Sequence, residues 1–170
     1  MNIAYIDGQN LHLGVSAQKR QIDFEKLRVY LRDKFGVKEA YYYLWFVIEE
    51  QRELYLKLQK AGFIVMFREH TAALKWKKKG NVDSDIIFDI LTRMYEKKDF
   101  KKIILVSGDW DYSKLVMHLI RHNILWKILF PNNKYSSLYK PIKDKYWMIL
   151  SAPEIQKKIW YEQPSPLLTT

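Results

Sequence analysis

The chain reads as an α/β protein with a central, mostly parallel sheet of about five strands flanked by helices. Three observations point there. Short apolar runs rich in β-branched and aromatic residues alternate with stretches of helical periodicity. The helical stretches between them are of similar length. No internal repeat and no Pro/Gly-rich linker breaks the alternation.

Asn2 to Ile6 reads as a short apolar strand that stops at Asp7-Gly8. Over 23–35, Phe24, Leu27, Tyr30, Leu31 and Phe35 recur at helical spacing, and Gly36 stands where such a helix would stop. Residues 38–48 (KEAYYYLWFVI) are aromatic and β-branched, hence a strand. A helix over 50–61 ends at Gly62, and Phe63 to Phe67 forms another strand. After a basic stretch at 75–79, a helix begins near Asp83 and runs to about Lys97. Ile103 to Val106 is a buried strand ending in Ser-Gly-Asp, followed by a helix from about Asp111 to His122 and a strand from Leu125 to Phe130. The stretch 132–160 is the least legible: a polar turn at Pro131-Asn132-Asn133, several aromatics, and a short helix after Pro153. Residues 1–160 are expected to form a single domain, with 161–170 as a C-terminal tail.

At 170 residues the chain suits one domain with a sizeable core. No apolar run approaches the roughly 18–20 residues that span a bilayer, and the opening MNIAYIDGQN has no signal-peptide pattern. Cysteine is absent, which removes disulfides, thiolate metal sites and Cys nucleophiles together. A cytoplasmic protein without membrane association is the expectation. Lys plus Arg is 29 against 19 for Asp plus Glu, a net charge of +10, so the surface field attracts polyanions and makes their binding salt-sensitive. Lysine-rich surfaces also occur in proteins that never touch nucleic acid, so charge is a footprint and not a proof.

The acids fall where an α/β sheet places ligands, outside the carboxyl ends of the strands. Asp7 follows NIAYI, and Asp109 and Asp111 follow IILVSG. A lone Asp after a strand also serves as a turn residue or as the N-cap of the next helix. Asp83 differs: on a wheel of about 100° per residue, Ile86, Ile87, Ile90, Leu91 and Met94 fall within roughly 80° of it, whereas Asp85 and Asp89 point elsewhere. An acid inside an apolar stripe must be capped, paired or bound to a cation, since a buried lone carboxylate costs several kcal/mol. N-capping remains open for Asp83. At an effective dielectric near 20, two carboxylates about 5 Å apart repel by roughly 3 kcal/mol, and a divalent cation converts that repulsion into coordination. Oxygen ligands without Cys or His select a hard ion, Mg²⁺ or Mn²⁺, over zinc.

YIDGQN at 5–10, KGNVDSD at 79–85 and SGDWDY at 107–112, in this order and on these elements, resemble the NYN/LabA-like (DUF88) branch of the PIN-domain superfamily. The resemblance covers roughly residues 1–130, and the three motifs are specific together. It implies a Rossmann-like PIN fold, an acidic site coordinating Mg²⁺ or Mn²⁺, and RNA as the usual substrate. On that resemblance Asp7, Asp83, Asp109 and Asp111 match the metal-site acids. Asn10 matches the Asn of the first motif, which would orient a ligand or a water on the metal, and Ser107 would support the last loop. Asp89 matches an acid often found on the middle helix, but its outward angle leaves it out of the site. Trp110 replaces the small residue usual between the paired aspartates, where it could block the cleft or stack on a base. Tyr112 stands where Phe is frequent.

The expected function is hydrolysis of RNA, single-stranded RNA favoured, with Asp7, Asp83, Asp109, Asp111 and Asn10 as catalytic residues. Lys75, Trp76, Lys77 and Lys79 of the KWKKK run, with Ser107 and Trp110, are candidates for substrate contact through phosphate binding and base stacking. A solvated loop with Trp76 folded onto the core accounts for the same run. Arg68 and His70 could also face substrate. The His118/His122 pair has helical i, i+4 spacing but no further ligand in view. Gly-x-Gly-x-x-Gly, Walker A and Gly-x-Ser-x-Gly motifs are absent, which weakens nucleotide-cofactor and serine-hydrolase readings. Two other classes stay open: a phosphoaspartyl enzyme built on Asp7, for which Gln9 occupies the place of a second acid, and a non-catalytic RNA-binding or regulatory module. The resemblance also leaves a homodimer open, since members of that family often dimerise and the aromatic-rich strand and the C-terminal region could supply an interface.

Overall fold

In the strand Asn2–Asp7 (β1), every side chain from Ile3 to Asp7 is buried, so helices must cover both faces of the sheet. In the computed structural model, which describes residues 1–18, 20–45, 49–68, 82–96 and 99–161, they do. The other strands are β2 (Val37–Leu44), β3 (Ile64–Phe67), β4 (Lys102–Val106), β5 (Leu125–Phe130) and β6 (Trp147–Ile149). All neighbouring pairs are parallel, in the order β3-β2-β1-β4-β5-β6. The helices are α1 (Gly8–Ser16), α2 (Phe24–Phe35), α3 (Arg52–Lys60), α4 (Val82–Tyr95), α5 (Ser113–Arg121) and α6 (Pro153–Ile159).

The pleat divides the core in two. Ala4 and Ile6 of β1 face a layer with Leu27, Leu31, Leu58, Ile155 and Ile159, from α2, α3 and α6. Ile3 and Tyr5 face Ile86, Ile90, Val116 and Leu119, from α4 and α5. Cutting Leu31 or Ile90, both fully buried, back to Ala costs about 2–5 kcal/mol.

Local chemistry sets the helix ends. The Asp23 side chain accepts from Lys26 N at 3.0 Å at the start of α2, and Gly36 closes that helix in the left-handed region at φ 64°. Pro153 opens α6 where a missing N–H costs nothing.

The α/β class stands as expected, with two corrections. The sheet has six strands instead of about five, the sixth lying in the stretch that resisted reading. A helix, α1, follows β1 directly, where none was expected. The ends of the strand expected to reach 48 and of the helix expected to reach 97 lie outside the described residues, as do His70, Lys75, Trp76, Lys77, Lys79 and the tail from 162. Among the described residues no helix is long and apolar enough to cross a membrane.

The order places a switch point between β1 and β4, where the chain leaves one half of the sheet for the other and the loops diverge into a crevice. The loops after β1 and β4 meet there.

Candidate functional site

Asp7 is the last residue of β1 and the N-cap of α1, and only 5% of its surface is exposed. One carboxylate oxygen accepts from Asn10 N at 2.9 Å, and the other accepts from the Tyr112 hydroxyl at 3.3 Å. Burial pushes its pKa up, opposed by the Asn10 N–H, the Tyr112 hydroxyl and the neighbouring Asp83 carboxyl, while the charge of Asp109 adds to the rise. Gly8 lets the helix start hard against β2, since a Cβ there would come within 2.6 Å of the Tyr43 carbonyl oxygen and closer still to the Tyr42 ring.

The loop after β4 is held from three sides. Ser107 is fully buried and its Oγ accepts from Asp109 N at 3.1 Å. Gly108 N donates to the Asn10 side-chain oxygen at 2.8 Å. The Tyr139 hydroxyl donates to the Asp109 carbonyl. Asp109 itself caps a single 3₁₀ turn, Trp110–Tyr112, by accepting from Asp111 N at 3.2 Å. The capping open to Asp111 in the sequence therefore falls to Asp109, and α5 starts only at Ser113.

Asp83 comes in from the third element. It is the second residue of α4, inside the helix and not its cap, 5% exposed, with Ile86 and Ile90 fully buried beneath it. Leu91 is 41% exposed, so the apolar stripe is narrower than the wheel suggested.

Carboxylate oxygens of Asp83, Asp109 and Asp111 all lie within 4.8 Å of one another. At that spacing like charges repel by about 3 kcal/mol per pair at an effective dielectric near 20. The helix N-terminus at Asp83 offsets part of this. A divalent cation cancels far more, and the all-oxygen donor set fits Mg²⁺ or Mn²⁺. Asp7 stands beside this trio, not in it, with its oxygens on Asn10 N and Tyr112. A cleft of about 200 Å³ opens on the acids, lined by Asp7, Asn10, Trp45, Asp83 and Asp109.

Residues 3–145 match the model of the NYN domain. The chain belongs to the NYN family. That family lies in the PIN-like superfamily and consists generally of nucleases. A crystal structure of a protein of unknown function from Vibrio parahaemolyticus resembles this NYN domain with a TM-score of 0.71, covering 94% of this chain and 95% of that one at 22% identity; the likeness is one of fold. The comparison with curated proteins matched none of them.

Other expected residues of the NYN domain are placed unevenly. Of the two parts expected of Ser107, loop support and substrate contact, the first fits its fully buried side chain bonded to Asp109 N. Trp110 is 58% exposed beside the acids and does not fill the cleft. Arg68 lies 4.0 Å from the Asp85 carboxylate. His118 and His122 pack ring to ring at 4.4 Å, and burial and the neighbouring His122 and Arg121 hold the His118 pKa down. Asp89 is half-buried and accepts from the buried Tyr43 hydroxyl of β2, so it faces the sheet and not outward as its wheel angle suggested. Sequence reasoning missed the bridging part of Tyr112, the support from Tyr139 and the presence of Trp45 in the cleft. The aromatic at the end of SGDWDY was the one visible signal.

Proposed function

We propose that this NYN domain is a metal-dependent ribonuclease that hydrolyses RNA phosphodiester bonds at the acidic cleft. The observation that carries the reading is the convergence of Asp83, Asp109 and Asp111 within 4.8 Å, on a protein of net charge +10. Such carboxylates are costly to assemble without a cation, and a basic surface draws the substrate such a centre would cut. Asp83, Asp109 and Asp111 hold Mg²⁺ or Mn²⁺, and Asp7 sets the adjoining wall of the cleft. Asn10 and Ser107 keep the loop after β4 in place. When bound, the cation activates water and polarises the phosphodiester. Trp110 offers an exposed ring for base stacking, and Lys75, Trp76, Lys77 and Lys79, which precede α4 in the chain, supply further backbone contacts.

The deciding experiment incubates the purified protein with labelled single-stranded RNA in Mn²⁺ or Mg²⁺ and then in EDTA. Cleavage that EDTA abolishes supports the reading. Metal-independent cleavage, or salt-sensitive binding without turnover, overturns it, and the second result would mark a binding module. Stable phosphorylation of Asp7 would mark a phosphotransfer enzyme instead.

A further inference from the structure

The opposite edge of the sheet, where the strands begin, carries a groove of about 650 Å³. Four lysines line it: Lys34 at the end of α2, Lys102 at the start of β4, Lys127 in β5 and Lys145 just before β6. Among the described residues none of the four makes an ion pair with an acid. The Lys102 ammonium donates instead to the backbone and side-chain oxygens of Asn123, at 2.6 and 2.8 Å, and Lys145 stands 4.8 Å from the centre of the Tyr146 ring. Burial, with the charge of Lys34, holds the Lys127 pKa below the usual lysine range. A groove that gathers cations without their counter-charges favours an anion.

Trp126 supplies a second, independent sign. The register of β4 against β5 shifts between Ile103 and Ile104, from Leu125 to Lys127, so Trp126 has no residue opposite it on β4. Trp126 stands before β6 begins to pair with β5, and its indole lies on the groove wall, 44% exposed.

We propose that this groove is a second binding site for single-stranded RNA, with backbone phosphates on Lys34, Lys102, Lys127 and Lys145 and a base stacked on Trp126. Lysines following a backbone beside an aromatic platform are the means by which single strands are held without sequence preference. The choice of RNA rests on the ribonuclease reading; the binding itself requires no cleavage. One strand of the sheet, on the order of 17 Å, separates the groove from the acidic cleft. A strand bound here leaves the cleft open, and a dinucleotide cannot reach both.

The test measures binding of the full chain to a fluorescent single-stranded oligouridylate of about fifteen nucleotides by anisotropy, in EDTA, across a salt series. Lys34→Ala with Lys127→Ala should lower affinity about tenfold and flatten the slope of log affinity against log salt by about 1.4, two phosphate contacts' worth. Trp126→Ala should lower affinity by a similar factor and leave the slope unchanged. Lys145→Ala, at an exposed position, checks the sign with the least risk to folding, and thermal melts confirm that each variant is folded. Unchanged affinity and slope in the folded variants, or no binding by the wild type, overturns the proposal. So does a loss seen only for binding to vesicles of phosphatidylcholine and phosphatidylserine, which would make the groove a lipid site. If the protein binds RNA here but never cleaves it, the groove stands and the ribonuclease reading falls. If it cleaves, a dinucleotide substrate should be cut equally well by the lysine variants and the wild type.

Discussion

The Asn10 side-chain oxygen accepts the Gly108 N–H at 2.8 Å and so ties together two loops whose residues lie 98 positions apart. Asp7 stands three residues before one end of that bond, and Asp109 one residue after the other. Asn10→Ala removes the acceptor. It should cost about 1 kcal/mol in urea unfolding, and it should weaken Mn²⁺ binding severalfold, read by electron paramagnetic resonance, as the Asp109 loop loosens. Unaltered Mn²⁺ affinity would show that the loop keeps its place without Asn10.

Tyr112 is fully buried, and its hydroxyl donates to Asp7. Burial and the surrounding carboxylates push its own pKa far up, so it stays a donor at any working pH. Tyr112→Phe keeps the ring and deletes only the donor. The expected loss is about 1–3 kcal/mol in chemical unfolding of the metal-free protein. A neutral result would mean that Asp7 finds another donor, or is already protonated.

Asp7 also makes stability depend on pH. Its folded pKa is raised, first by burial, so the folded chain keeps that proton where the unfolded chain releases it. Its contribution is fully present below the ordinary carboxylate range and is lost as pH rises through the raised folded value. In EDTA the urea midpoint should therefore fall across that window, and Asp7→Asn should flatten the fall. A profile identical in the variant would assign the dependence to other groups.

Asp83→Asn separates function from stability. Removing one charge from three carboxylates within 4.8 Å relieves repulsion, so the metal-free variant should melt no lower than the wild type. Metal-dependent RNA cleavage should drop by roughly a hundredfold or more. A variant as active as the wild type would remove Asp83 from the centre.

Gly8→Ala tests the packing at the start of α1. The added methyl meets the Tyr43 carbonyl oxygen at 2.6 Å and the Tyr42 ring, and the overpacking should cost about 1–3 kcal/mol in denaturant unfolding. No loss would mean that β2 yields at this point.

The strand-end acids were legible because a parallel sheet gathers its strand ends on one edge, however far apart they lie in the chain. Asp83 was legible because a carboxylate set in line with Ile86 and Ile90 must be capped, paired or bound to a cation. The division of labour between Asp109 and Asp111 was not, since spacing alone does not say which carboxylate turns back to a backbone N–H. The helix α1 escaped because GQNLHLGVS carries Gly8 and Gly14 and buries little beyond Leu11 and Val15, so the Asp7 cap does what periodicity does elsewhere. The strand β6 escaped because it is three residues long, at the sheet edge, and made of Trp147, Met148 and Ile149. Tyr139, which steadies the Asp109 loop, comes from that same unreadable stretch.

Because β1 pairs with β2 on one side and β4 on the other, synthesis imposes a timetable on the centre. Once the first half of the chain has left the ribosome, β1, β2 and β3 can associate, but the other edge of β1 stays bare until β4 emerges. Asp109 and Asp111 follow directly behind β4, so the event that closes this edge also delivers the carboxylates. A nascent chain short of that point carries Asp7 and Asp83 but no assembled acidic centre.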